Sequence, residues 1–343
     1  MVAHNLTMKS LFKTLLLLLV MFTASTLYVK AQKSGNSSLI FKKLDDLPYI
    51  LEWPATVTDG VNIYAINGYT PNGAESRRSY SRDALAFDPQ SDEWITLNNN
   101  AGAKIQSSAA YLPSNGHIYL FGGIILATNK IYQDVETLDV KTGEIKELGI
   151  HSRIPVTYGY ASEWKGLIYL YGGTEAGNHT TSSVYSFDPK TADFTKLANM
   201  PEGLQTAGTI VNGTLYTFGG FNGFLNKQSA DINAYDIKTD TWKTVAKLPQ
   251  TVSANSVAVC GDLVFIVGDY NKETFLGYYN TRTNNFVKLN SNMSGHRAGG
   301  AAIINNTLYV FGGKGDPGSI SGGYKTMQSA DIGDILKMEA GNK

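Results

Sequence analysis

The sequence predicts an all-β chain folded as a six-bladed β-propeller, and three observations carry that prediction. The first is an apolar strand that ends in paired glycines and recurs at a period near fifty residues. Ile118–Gly123, Ile168–Gly173, Leu215–Gly220 and Leu308–Gly313 are clear copies, and Ile63–Gly68 and Val264–Asp269 are degenerate ones. The second is a spacing of seven residues between two large side chains downstream of these strands: Phe87 to Trp94, Leu138 to Ile145, Phe187 to Phe194, Tyr235 to Trp242 and Tyr279 to Phe286. The third is a short run of small residues upstream, as in Ser108-Ala109-Ala110 and Ala298-Gly299-Gly300-Ala301-Ala302. Repeats of this length read as propellers or solenoids, and four strands per repeat, set radially, make a propeller blade.

Each strand of the unit follows from its residues. The first carries small side chains because six such strands crowd around one axis. The second is a continuous apolar run rich in aromatic and branched residues, which suits a strand buried on both faces. The glycines at its end supply φ > 0 and a close backbone approach. The seven-residue spacing marks a hairpin of fixed loop length. Asp88, Asp139, Asp188, Asp236 and Asn280 each follow the first large residue, and such side chains set a turn by bonding the local backbone. The sixth unit lacks its last strand: Ser329–Leu336 parallels Ser229–Asp236, and the sequence stops short of a partner. Phe41 lies seven residues before Pro48, as Phe194 lies before Pro201 and Trp242 before Pro249. Residues 39–44 are therefore expected to supply the outer strand of the last blade and to hide two open sheet edges. The blades with degenerate glycines, and blade two with Leu138 and Ile145 in its aromatic positions, are expected to pack less regularly.

Composition narrows the function classes. The chain has 343 residues, 43% hydrophobic and 17% charged, with zero formal net charge. That balance offers no electrostatic case for nucleic acid or an anionic membrane surface. The single cysteine, Cys260, excludes an intrachain disulfide and reads as a small buried thiol. Residues 1–31 read as a signal peptide: Lys9 and Lys13 are basic, Leu15 to Phe22 is apolar, and Val29-Lys30-Ala31 offers a cleavage site. The apolar span is shorter than the about 20 residues of a membrane helix, so no stable span is expected after cleavage. The mature protein is then periplasmic or extracellular. Residues 32–38 are expected to be flexible and residues 39–343 to form one domain, a monomer.

A strand ending in Gly-Gly, then a Tyr or Phe, then a Trp seven residues on, resembles the Kelch repeat. The likeness runs from Ile40 to Leu336. It implies a six-bladed Kelch β-propeller whose last blade is closed by both ends of the domain. Copper radical oxidases such as galactose oxidase, and exported bacterial sialic-acid mutarotases, also use Kelch-type propellers. No set of metal ligands or catalytic motif of theirs matches here. His117, His151, His179 and His296 stand in different units, without a close-spaced His or Cys partner. No metal and no cofactor are therefore expected.

Function is then expected in the loops after the second and fourth strands, which a propeller presents on one face. Arg78 lies in a loop after a second strand, and Arg153 and His296 lie in loops after fourth strands. Sixteen residues before the last glycine position of each unit stand Glu52, Ser107, Thr157, Leu204, Ser253 and Arg297. This slot is expected to ring the mouth of the axial channel, with Glu52 and Arg297 brought together by ring closure. Trp53, Tyr158 and Gln205 follow one place later. A carboxylate, a guanidinium, hydroxyls and aromatic rings around a funnel suit a sugar or small anion. The candidate ligand-binding set is Glu52, Trp53, Arg78, Arg153, Tyr158, Gln205, His296 and Arg297. The reading is a binding module for a glycan, small sugar or partner protein. The alternative is a carbohydrate-active enzyme such as a mutarotase-like sugar epimerase, with Glu52 and His296 or Arg297 as acid and base.

Overall fold

Six four-stranded antiparallel sheets surround one axis. Blade one is Ala55–Thr58, Ile63–Ile66, Ala84–Asp88 and Glu93–Asn98. Blade two is Ser108–Leu112, His117–Phe121, Asp134–Asp139 and Ile145–His151. Blade three is Tyr160–Trp164, Leu167–Tyr171, Val184–Asp188 and Asp193–Leu197. Blade four is Gln205–Val211, Thr214–Asn222, Lys227–Asp236 and Thr241–Lys247. Blade five is Ser256–Cys260, Leu263–Val267, Leu276–Asn280 and Asn285–Lys288. Blade six is Gly300–Ile304, Thr307–Phe311 and Met327–Asp331, with Lys42–Lys43 outermost. Each inner strand touches the inner strands of the blades on either side, and blade six returns to blade one, so the ring is closed. This is a computed structural model; it describes residues 38–71, 80–315 and 324–341. The expected signal peptide, residues 1–31, and the expected flexible residues up to 37 lie outside the described residues.

The hairpins form as the sequence dictates. The large residues seven apart are direct cross-strand partners in five blades: Phe87 with Trp94, Leu138 with Ile145, Phe187 with Phe194, Tyr235 with Trp242 and Tyr279 with Phe286. The Asp or Asn between them accepts backbone N–H bonds two residues on, as Asp88 does from Gln90 and Asn280 from Arg282. The aromatic rings then pack between blades. Trp94 stands 5.2 Å from Phe311 of blade six, and Phe218 of blade four stands 5.8 Å from Tyr279 of blade five.

The paired glycines let one blade run over the next. Gly312 has φ +59°, and a Cβ there would lie 2.6 Å from the carbonyl oxygen of Leu51 in the adjoining segment. Gly313 N–H donates to that same oxygen at 2.7 Å. In the degenerate copies a side chain takes over the glycine's duty; blade one carries a register shift at Ala84/Leu85, as less regular packing predicts, and blade five carries none. Asn67 adopts φ +58°, as Asn tolerates, and its amide donates to Gly102 O at 2.7 Å. Asp269 is 1% exposed and accepts the N–H groups of Ser253, Asn271 and Lys272 at 3.0–3.3 Å.

Blade two fills its aromatic positions with the apolar pair Leu138 and Ile145 and carries a buried ion pair in addition. Lys104 is 0% exposed and Glu136 is 2% exposed, and the two form an ion pair. Glu136 also accepts Gly102 N–H at 3.1 Å, and the Lys104 ammonium stands 3.8 Å from the Tyr132 ring centroid. Burial pushes the Lys104 ammonium below its ordinary range, while the Glu136 carboxylate holds it up.

Two details of ring closure differ from expectation. Of residues 39–44, Lys42 and Lys43 pair with the C-terminal strand, opposite Ser329 and Gln328, and Leu44 N–H donates to Met327 O at 2.9 Å. Ser38 and Leu39 instead pair parallel with Asn290 and Ser291 beyond blade five, and Leu39 and Phe41 are both buried in one core cluster. Asn292 holds the segment by bonding both the N–H and the carbonyl of Phe41. The second difference is a helix, Gly333–Gly341, where the sequence parallel suggested continued strand. Asp331 accepts Gly333 N–H at 2.7 Å at its start, and Glu339 accepts bonds from Tyr278 and Asn280 of blade five. Among the described residues, no helix is long and apolar enough to cross a membrane.

Candidate functional site

A channel of about 1040 Å³ follows the axis, walled by the six inner strands. Its waist is made of small residues, among them Ala55, Ala109, Gly208 and Ala301. Its mouth is built by the segments that enter the inner strands. Five of the six entries pass through a left-handed residue: Trp53 (φ 49°), Gln106 (φ 60°), Tyr158 (φ 54°), Ala254 (φ 51°) and Ala298 (φ 55°). A non-glycine residue in this conformation costs about 1 kcal/mol or more. The blades recover part of that cost by bonding to one another around the axis. Trp53 N–H donates to Ala298 O at 2.5 Å, Ala298 N–H to Ala254 O at 2.8 Å, and Tyr158 N–H to Gln106 O at 3.1 Å.

The residues on this rim are aromatic rings and amides. Trp53 and Tyr158 meet edge to face at 6.1 Å. Gln106 donates to the Tyr158 hydroxyl at 2.5 Å, and Gln205 to Thr174 at 2.8 Å. Across the opening stand Phe221, Gln228, Tyr270 and Asn271. Gln228 donates to Ser253 at 2.7 Å and accepts from Asn271 at 3.0 Å. The charged side chains on the channel wall, among the described residues, are Lys227 and Glu163. Glu163 accepts the N–H of Gly166 at the far end of its strand.

The charged part of the expected ring is corrected by this geometry. Trp53, Tyr158 and Gln205 line the channel, but Glu52, His296 and Arg297 do not. At Glu52 and Arg297 the left-handed residue that follows, Trp53 or Ala298, lines the channel while the slot residue does not; the smaller slot residues Ser107 and Ser253 do line it. Glu52 is 2% exposed, and burial pushes its carboxyl up, opposed by Lys314 and Arg297. Arg297 covers the Tyr270 ring at 4.4 Å and donates to Tyr270 O at 3.0 Å. In blade two the slot is displaced by two residues: Ile105 makes the backbone bridge to Ile124, so Gln106, not a residue after Ser107, reaches the rim. Arg153 is exposed and away from the channel wall, and Arg78 lies outside the described residues. Among the described residues, no group of three or more His, Cys, Asp or Glu side chains is placed to hold a metal ion. Cys260 is half-buried at the end of an inner strand, and burial raises its thiol.

His296 supports the rim from beneath. Its ring lies so close to Gly299 that a Cβ there would stand 2.0 Å from the imidazole. Burial pushes the imidazole down to about 4, against a bond to the Gly312 backbone that raises it. The folded value is below the unfolded value of about 6.5, so the unfolded chain takes up the proton first. The stabilisation is full above pH 6.5 and is lost as pH falls toward 4, on the order of 3 kcal/mol. Denaturant midpoints of the wild type are expected to fall through that window, and those of His296→Gln to lack this part of the fall. Parallel curves for the two proteins would show that the ring is not held neutral.

The closed ring of six four-stranded blades, glycine pairs at the blade seams and an open axial mouth define a Kelch-type six-bladed propeller. Residues 53–269 and 115–313 match the family described as the KLHDC2/KLHL20/DRC7 Kelch-repeats domain. The chain belongs to the Kelch-repeat family. It is 27% identical over 247 residues to Kelch-like protein 38 of Homo sapiens, covering 71% of this chain and 41% of that protein. It is also 27% identical over 225 residues to Kelch-like protein terF of Aspergillus terreus, covering 62% of this chain and 48% of that one. The chain thus spans less than half the length of these relatives. The solved structure of YjhT shares the fold, with a TM-score of 0.69 at 16% identity over 83% of this chain and 95% of that one.

Proposed function

We propose that this chain is an exported binding module whose axial mouth takes an uncharged sugar residue of a glycan. The observation that carries the reading is the rim itself. Trp53, Tyr158, Phe221 and Tyr270 present ring surface, and Gln106, Gln205, Gln228 and Asn271 present donors and acceptors around an open channel. Rings that cover the apolar face of a sugar, with amides for its hydroxyls, make a concave site with few but well-placed polar groups. The basic leader with its apolar run supports export. The Kelch propeller is a general interaction fold, which agrees with a binding role. Binding is favoured over sugar epimerisation because Glu52 and His296, the acid and base such a reaction would use, stand behind the rim.

The test is calorimetry of the mature chain against a panel of neutral and acidic oligosaccharides. Neutral members are expected to bind, and Trp53→Ala to weaken them about tenfold or more, the loss of one well-packed aromatic contact. Arg153→Ala, off the channel, is expected to bind as the wild type does. Equal binding by Trp53→Ala and the wild type, or no binding by any member, overturns the reading.

A further inference from the structure

The blade-four hairpin departs from its counterparts. In blades three and six the ladder of the second and third strands stops before the glycine pair, at Tyr171 with Val184 and Phe311 with Met327. In blade four it runs on, pairing Gly220 with Ser229, Phe221 with Gln228 and Asn222 with Lys227. A paired ribbon therefore carries residues 223–226 beyond the rim. Asn222, 8% exposed, locks the turn. Its oxygen accepts Leu225 N–H at 2.9 Å, and its amide donates to Glu202 at 3.0 Å. On that fixed turn the Phe224 ring is 73% exposed. It lies stacked on the His179 imidazole, 5.8 Å between centroids and 28° between planes. A second cavity of about 340 Å³ opens beside the pair, lined also by Thr180, Gly203 and Leu225.

An exposed aromatic ring on a rigid support is a surface already arranged for a partner. We infer that the Phe224–His179 pair is a second subsite of the same glycan, stacking on a sugar ring further along the chain. This rests on the reading of the mouth as a sugar site. The hairpin itself argues for one ligand across both places. Phe221 and Gln228 line the mouth, and Phe224 stands three residues further on. Since the strand ends at Asn222 and 223–226 form the turn, Phe224 lies at most about 10 Å along the chain from Phe221, a span that a short oligosaccharide covers. Thr180 and Asn222 bond to each other at 3.3 Å beside the rings, which helps to hold the flat apolar face in place. The preferred ligand is therefore a linear oligosaccharide several residues long.

The experiment compares di- and hexasaccharides of the gluco-, galacto-, manno-, xylo- and N-acetylglucosamine series by calorimetry, on the wild type, Phe224→Ala and Trp53→Ala. The hexasaccharide of the bound series is expected to bind about tenfold more tightly than its disaccharide, the scale of one added stacking contact. Phe224→Ala is expected to erase that gain and leave the disaccharide affinity unchanged; Trp53→Ala is expected to weaken both. A thermal melt checks that Phe224→Ala stays folded. Equal affinity for the two lengths, or a gain that survives Phe224→Ala, overturns the second subsite while leaving the mouth reading intact. Loss of a co-purifying protein from Phe224→Ala, with all sugar affinities unchanged, assigns the tip to a protein partner and overturns the subsite. No binding by any sugar overturns the mouth reading and this inference together.

Discussion

Lys104→Met is expected to destabilise the propeller by about 3–5 kcal/mol, the cost of leaving one member of a buried ion pair without its partner. Glu136 would keep the Gly102 N–H bond at 3.1 Å but lose its counter-ion at a site 2% exposed. The ammonium also faces the Tyr132 ring at 3.8 Å, and that contact goes with it. The matching expectation is that Lys104→Met combined with Glu136→Leu recovers most of the loss, since a buried pair replaced by apolar groups is often neutral or stabilising. Urea unfolding of the wild type, both single variants and the double variant closes the cycle. A double variant as unstable as the worse single variant would mean that the pair supports the seam of blades one and two in a way apolar packing cannot replace.

Gly312→Ala is expected to cost about 3 kcal/mol or more, from two separate sources. The backbone sits at φ +59°, and the new Cβ would lie 2.6 Å from Leu51 O. That carbonyl belongs to the segment running from the N-terminal strand into blade one, so the collision wedges the ring at its closure. Gly116→Ala is the control: φ is +73°, with nothing within 4 Å of the added carbon. It is expected to lose only about 1 kcal/mol, the conformational part alone. Equal losses at the two positions in thermal or urea unfolding would remove the close approach from the account and leave only the backbone angle.

The scaffold was legible because its signals are local. A Gly-Gly pair, an Asp or Asn two residues before the N–H it accepts, and a seven-residue spacing each act within one hairpin, and repetition multiplied them. The site was legible in part, for the same reason. Trp53, Tyr158 and Gln205 stand at a fixed count before the glycines, and the channel mouth receives all three. Glu52 and Arg297 share a neighbouring count but not a direction, because a left-handed backbone at the next residue decides which side chain meets the axis. That conformation has no signature in Trp or Tyr, which seldom adopt it. Gln106 was hidden by a two-residue displacement in blade two, and Gln228 and Phe221 by a ladder that outruns its glycines. Asn67 and Asp269 read as lapses of the repeat until their side chains are seen bonding where glycine backbone would pass.

Lys42 and Lys43 pair with residues near the far end of the chain. Their partners, in Met327–Asp331, come after every strand of blades one to five in chain order, so blade six is completed after the others. Blades one to five hold all their strands in consecutive order and can assemble as they emerge, whereas the closing contact waits for Met327–Asp331. Such long-range pairing is entropically slow to find. Until it forms, the inner strands of blades one and six face water, and the propeller is an open arc with two sticky edges. That open arc is the state in which the folding chain is most exposed to edge-to-edge aggregation.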